Sequence, residues 1–269
     1  MIVSKMPLTS ITSGIGIEVL PDLYCFPVQI VNIVFIGNPN TKEFILVDAG
    51  MPDSEDMILA EVENRFGQNA KCKGIVLTHG HFDHIGALKA LIKKWNVTVF
   101  AHKLEEPFLT GKEDYPPPNT EVEGLVAKMS PFFPRHSIDI ADSLQLLPED
   151  GSIPVLPDWK YLSTPGHTPG HISLYRERDG ALIAGDAFVT VEQESLYDVL
   201  TQKQEIHGPP AYFTIDWSLA SNSVKKLAGL NATVAITGHG LPLTGHDILD
   251  NLTQLAANFD TTEVPENRK

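Results

Sequence analysis

The chain has 269 residues, 42% hydrophobic and 20% charged, enough for a sizeable core and unlike a mainly disordered chain. Its formal net charge is −14, from 20 basic and 34 acidic side chains, which argues against a binder of phosphate backbones. Two cysteines, Cys25 and Cys72, without CxxC spacing are too few for a disulfide framework.

Residues 1–20 are broken by Pro7, Ser10, Thr12 and Ser13 and hold no apolar run of signal-peptide length. No later window reaches the ~18 apolar residues of a membrane span. A soluble cytoplasmic protein is expected, with no membrane and no nucleic-acid partner. VQIVNIVFIG (28–37) and FILVD (44–48) predict a meander or hairpin. PDSEDMILAEVENRFG (52–67) has an acidic first turn, apolar residues at near-helical spacing and a glycine stop, which predicts an amphipathic helix. GIVLT (74–78) predicts a buried strand, IGALKALIKKW (85–95) a helix and VTVFAH (97–102) another strand. KALIKK (89–94), the densest basic cluster, reads as the solvated face of that helix. Further strands are expected at 143–147, 159–163, 171–176, 181–185 and 232–238, and helices at about 210–229 and at 246–259. The proline-rich stretch 105–122 and the stretch 187–210 read as long loops, with lid or substrate loops near 105–140 and 187–210. A flexible tail is expected from about 260. Two halves, each of strands followed by helices, point to one domain over 1–269 with two sheets face to face and helices outside.

THGHFDH (78–84) crowds three histidines and an aspartate into seven positions. His79 and His81 stand two apart at a strand end, so extended backbone turns both imidazoles to one face, and Gly80 lets the chain bend between them. Asp83 and His84 lie where the chain turns into a helix and can face a second ion beside the first. Imidazole and carboxylate suit Zn²⁺, Mn²⁺ or Fe²⁺. The competing reading is a set of surface histidines with Asp83 as a helix N-cap. Three imidazoles charged together would repel without a shared ligand, which favours the metal. Polar residues recur at the ends of other apolar strands: Asp48 in LVDAG, His167 in STPGHTPGH, Asp186 in IAGDAF and His239 in AITGHG.

In this ordered set the chain resembles the metallo-β-lactamase-fold hydrolases, over about residues 20 to 245. The landmarks are Asp48, the HxHxDH run from His79 to His84, His167, Asp186 and His239. The resemblance implies an α/β fold, an αββα four-layer sandwich of two mixed β-sheets with external helices, and a site on one edge. It implies two divalent ions, zinc first and manganese or iron next. His79, His81 and His167 would hold one; Asp83, His84 and His239 the other; Asp186 would bridge them, with Asp48 orienting ligands from behind. Asp83 and Asp186 are the catalytic candidates, and a bridging hydroxide would attack a carbonyl.

Asp186 separates the chain from the β-lactam hydrolases and is similar to the glyoxalase II, lactonase and thioesterase branch. The lactonases' tyrosine, three residues after that aspartate, is replaced by Val189, and Tyr197 or Tyr212 are other candidates for its role. The basic residues with which glyoxalase II holds glutathione have no clear counterpart in the tail NRK. A lactone, ester or thioester of a small molecule is therefore the expected substrate. A mononuclear iron persulfide dioxygenase on His79, His167 and Asp186 is the alternative, and a β-lactam hydrolase a further one. A flavodiiron protein, a ribonuclease and a non-catalytic metal binder fit less well. Phe82, Phe188, Tyr197, His207 and Tyr212 are candidates for the substrate pocket, with Phe108, Tyr115, Phe132, Phe133 and Phe213 nearby in sequence. His171 is placed to hydrogen-bond a ligand, whereas His102, His136 and His246 read as structural. A homodimer is compatible with the sequence.

Overall fold

β1 (Ile17–Leu20), β2 (Leu23–Val28), β3 (Val31–Ile36) and β4 (Glu43–Val47) pair in sequence, each antiparallel to the one before it. They come from a computed structural model, which describes residues 8–245 and 247–268. The stretch 28–37 is not one strand. It turns at Gln29, in the left-handed region at φ 59°, so β2 pairs back on β3 with Val28 opposite Val31. No glycine or asparagine marks this turn.

α1 (Glu55–Phe66) buries Ile58, Val62 and Phe66, one face at i, i+4 and i+8, and ends at Gly67. It returns the chain to β5 (Lys71–Val76), parallel to β4. α2 (Leu88–Trp95) starts later than the hydrophobic pattern predicts. The N–H groups of Gly86 and Ala87 donate to the carbonyls of Gly50 and Ala49, which holds the residues after the histidine cluster in turns. β6 (Val99–Ala101) follows, parallel to β5. The proline-rich stretch contains a short helix, α3 (Glu106–Leu109), and α4 (Leu125–Met129) lies beyond it. β7 (Leu144–Leu146) completes a seven-stranded sheet in the order β1 to β7.

The second half builds a five-stranded sheet. β8 (Lys160–Ser163), β9 (Ile172–Arg176) and β10 (Ala181–Gly185) are antiparallel. The stretch 187–210 includes α5 (Leu196–Thr201), and α6 (Trp217–Ala228) crosses back to β11 (Val234–Thr237), parallel to β10. β12 (Leu243–Thr244) adds an edge, and α7 (Asp247–Thr262) runs through position 260.

Period-two alternation explains the layering. Val34, Ile36, Ile45, Val47 and Val76 of the first sheet pack against Ile172, Leu174, Ile183 and Ile236 of the second. Their neighbours Ile33, Phe35, Leu46 and Ile75 face outward under α1 and α2, while Leu182 and Ala235 lie with α6 and α7. The result is the αββα sandwich of two mixed sheets. No helix among the described residues is long and apolar enough to cross a membrane.

Candidate metal centre

Parallel strands end in loops on the same edge, the usual place for sites in α/β sheets. Asp48 directly follows β4, the histidine cluster follows β5, His167 sits in the β8–β9 turn, Asp186 follows β10 and His239 follows β11. All seven candidate donors and Asp48 are buried.

The donors fall into three groups whose ligand atoms each lie within 4.8 Å of one another: His79, His81 and His167; His79, His84 and Asp186; Asp83, His84 and His239. His81 Nδ1 approaches both His79 Nε2 and His167 Nε2 at 3.0 Å. Asp186 lies between the sets. Its Oδ1 is 3.6 Å from His84 Nε2, and its Oδ2 is 3.5 Å from His167 Nε2 and 3.3 Å from His239 Nε2. Asp83 Oδ2 is 3.3 Å from His239 Nε2.

The protein fixes which nitrogen each ring offers. Thr78 Oγ1 donates to Asp48 Oδ2, so it can only accept from His79 Nδ1–H at 3.1 Å, leaving Nε2 as the donor atom. Thr214 Oγ1 donates to the Pro210 carbonyl and accepts from His167 Nδ1–H in the same way. His84 Nδ1–H donates to Asp48 Oδ2 at 2.9 Å, and His239 Nδ1–H to the Ile30 carbonyl at 2.8 Å. Such partners on the far nitrogen are the usual support of a metal-binding histidine. His171 accepts the Asp186 N–H on Nε2 and holds that backbone, the role its position suggested. Asp48 itself adopts φ 60° and also accepts the Thr78 N–H.

Burial, joined by the neighbouring imidazoles, pushes His79 and His167 well below the usual histidine range and His81 down to about 4, so these three are neutral at pH 7. Burial acts the same way on His84 and His239. There the carboxylates of Asp186 and Asp83 outweigh it, holding His84 well above its ordinary value and His239 at about 10. Burial would raise Asp83 and Asp186, but the same two histidines hold both down.

These residues fit divalent cations. His84 Nε2 and Asp186 Oδ1 are buried without a hydrogen-bond partner, a costly state unless something binds there. Nitrogens about 2.0–2.1 Å from a tetrahedral zinc stand about 3.3 Å apart, close to the 3.0 Å seen among the three histidines. Two carboxylates with neutral imidazoles match the charge of such ions.

Aromatic rings stand beside the donors. Tyr115 and Phe213 flank His81 at 4.5 and 4.9 Å between centroids. Phe82 meets Phe133 at 5.7 Å, and Phe133 meets Tyr212 at 6.1 Å. The structure thus brings Phe82 and Tyr212 into this group. It does not bring the other pocket candidates there: Phe188 is fully buried in the core, and Tyr197 stands 72% exposed on α5. His207 bonds through its backbone to Val189 and lines a separate cavity of about 650 Å³ with Glu194 and Glu263. Phe132 is exposed, and Phe108 stacks on Tyr115. His102 and His136 lie away from the donors, and His246 lies outside the described residues. Thr214, Glu105 and Asn32 were not read from the sequence. Asn32 Nδ2 donates to the carbonyls of Thr237 and Gly240 on either side of His239, from more than 200 positions away. Only Thr78, adjoining the histidine cluster, carried a local signal.

The family model described as the metallo-beta-lactamase superfamily matches residues 27–239. A relative described as probable metallo-hydrolase YflN of Bacillus subtilis (strain 168) is 54% identical over 253 residues, 93% of this chain and 96% of that protein. Among solved structures, a B3 metallo-beta-lactamase with an active-site glutamic acid superposes with TM-score 0.64 at 16% identity, over 97% of this chain and 93% of that one. TTHA1623 in a di-iron-bound form gives 0.53 at 21% identity, over 84% and 92%. At these identities the two structures speak for the fold alone.

Proposed function

The chain belongs to the metallo-beta-lactamase superfamily, and from that premise we propose that it is a two-metal hydrolase of lactones, esters or thioesters with an apolar acyl part. At the coarser level it is a metallo-hydrolase with a His/Asp metal site. The observation that carries the finer reading is Asp186, whose Oδ2 faces a histidine of each set, His167 at 3.5 Å and His239 at 3.3 Å, while its Oδ1 faces His84 at 3.6 Å.

His79, His81 and His167 would hold one ion, Asp83, His84 and His239 the other, with Asp186 shared. Two divalent ions there would lower the pKa of a water between them and polarise the scissile carbonyl. Zinc suits the donor set, and manganese or iron would also be accepted. Asp83 is the least buried donor at 8%, so its carboxylate is the group to orient the attacking water and carry its proton towards the leaving atom. Asp186 keeps the two donor sets at a fixed spacing. Phe82, Phe133, Tyr212 and Phe213 form an aromatic wall that favours an acyl chain over a highly charged substrate. The same bridging Asp186 ranks β-lactams lower. An iron held by His79, His167 and Asp186 alone would leave four converging donors without a task, which ranks the dioxygenase lower.

The test is elemental mass spectrometry on protein purified without added metal, followed by a screen of lactones, thioesters and β-lactams. Two zinc or manganese ions per chain with lactone or thioester turnover are expected, and His81→Ala or Asp186→Ala should abolish turnover in a folded chain. One iron per chain, or full turnover by the Asp186 variant, would sink the proposal.

A further inference from the structure

We propose that Glu105 is a positioning residue for the three-histidine half of the site: one buried carboxylate clamps the turn of His79 and His81 to the turn of His167 and His171. This rests on the reading that metal binds those histidines.

Glu105 directly precedes α3 and is 1% exposed, yet its side chain does not cap that helix. A buried carboxylate is costly unless its lone pairs are filled. Here neutral donors fill them, two to each oxygen. Oε2 accepts from Gly80 N–H at 3.0 Å and from the Tyr115 hydroxyl. Oε1 accepts from Thr168 Oγ1 and Gly170 N–H, both at 2.8 Å. Gly80 lies between His79 and His81, Thr168 follows His167, and Gly170 precedes His171. Each oxygen thus serves one turn.

Both turns press against the clamp. A Cβ at Gly80 would stand 2.8 Å from the Tyr115 hydroxyl, and one at Gly170 2.8 Å from Glu105 Oε1. A side chain on either glycine would push its turn off the carboxylate. Tyr115 extends the clamp to a ring, since it bonds Glu105 and packs on His81 at 4.5 Å. The nitrogens of His81 and His167, 3.0 Å apart, come from chain segments 86 positions distant. Glu105 is a direct tie between those segments, and the spacing of their nitrogens decides whether one ion can reach all three.

Glu105→Gln in the full-length chain isolates this role. The amide keeps the shape but has one acceptor oxygen, so its NH₂ must face one pair of donors. A backbone N–H cannot reverse to accept, so one turn comes free. Zinc affinity, read by competition with a chromophoric chelator, should fall by about tenfold or more at the three-histidine side. The Asp83, His84 and His239 side should be unchanged. His167→Ala and His239→Ala identify which of the two ions is lost. In the cobalt-loaded protein the visible absorption from the three-histidine side should shift, a change that lost stability alone does not produce. Tyr115→Phe keeps the carboxylate and removes one donor, so a smaller shift in the same direction is expected; it carries the test if the Gln variant fails to fold.

Wild-type affinity and an unchanged cobalt spectrum in Glu105→Gln would overturn the proposal, as would equal weakening at both sides. A wild-type chain that takes up one ion on the three histidines would overturn the two-metal reading and leave the Glu105 comparison intact. A wild-type chain that binds none would end both.

Discussion

Asp48 shows how much one carboxylate can organise. It takes the Thr78 N–H, the Thr78 hydroxyl and the His84 Nδ1–H, and through Thr78 it also sets the tautomer of His79. Asp48→Asn turns one of those acceptors into a donor. Metal affinity at the His84 side should fall about 10- to 100-fold, measured by chelator competition, in a chain that still folds. Retained affinity would mean that the tautomer is set elsewhere. The two halves of the site should also differ in proton release. His84 and His239 are held above the ordinary histidine range, so in the metal-free chain both carry protons at pH 7.5. A raised folded pKa contributes stability below about pH 6.5 that is lost as pH rises through the folded value, here about 10 for His239. Cations binding at that side must displace up to about two protons, whereas His79, His81 and His167 are neutral and release none. Calorimetric zinc titrations in buffers of different ionisation enthalpy measure this, and a total near zero would refute it.

Elements explain why the donors were legible and their supports were not. The histidines and aspartates follow apolar strands in short local patterns, so their spacing in sequence already carries their geometry. Glu105 acts on turns 25 and 63 to 65 positions away, Thr214 on a residue 47 away and Asn32 on residues more than 200 away, and nothing local marks them. β1 and β2 were equally hidden, because Pro27 sits within β2 and the turn at Gln29 lacks glycine. The end of β11 shows a constraint of the same kind. Gly238 lies so close to Asp186 that a Cβ there would overlap Oδ1. Gly238→Ala should therefore displace the Asp186 carboxylate while the sheets persist, so near-UV circular dichroism should change little and metal stoichiometry should fall. The segment leading into α5 has its own liability. Burial pushes Glu194 up to about 7, with Glu192 and Glu263 adding to the effect and the Ala211 N–H opposing it. The folded carboxyl thus holds its proton between about pH 4.5 and 7, and its cost to stability is complete only above that window. Glu194→Gln keeps an acceptor for Ala211. It should stabilise the chain by about 1–2 kcal/mol at pH 8, discounted for partial exposure, and not at pH 4. Equal melting temperatures at pH 8 would show that the carboxylate is already well solvated.

At the scale of the whole molecule, the donors come from both sheets. His79, His81, Asp83 and His84 follow β5 of the seven-stranded sheet, while His167, Asp186 and His239 belong to the five-stranded one. The core between the sheets is apolar and contains none of the metal donors, so the metal-free chain should stay folded. Its open edge is another matter. There two carboxylates and five imidazoles converge with two polar atoms unpartnered, and among the described residues the protons on His84 and His239 are what neutralises the carboxylates. Ions at this edge would staple one sheet to the other and remove that cost. Free metal at a thousand times its dissociation constant stabilises a chain by about 4 kcal/mol. For a domain of this size each kcal/mol moves the melting temperature by roughly 2–4 °C. Removing metal with a chelator should therefore lower the melting temperature by roughly 8–16 °C. The loss of hydrogen-exchange protection should be concentrated at residues 78–86, 164–171, 185–190 and 237–240, and the sheet centres should stay protected. A melting temperature unmoved after verified metal removal would mean that the sheets alone hold this edge. Loss of protection spread evenly over both sheets would mean that metal supports the fold as a whole.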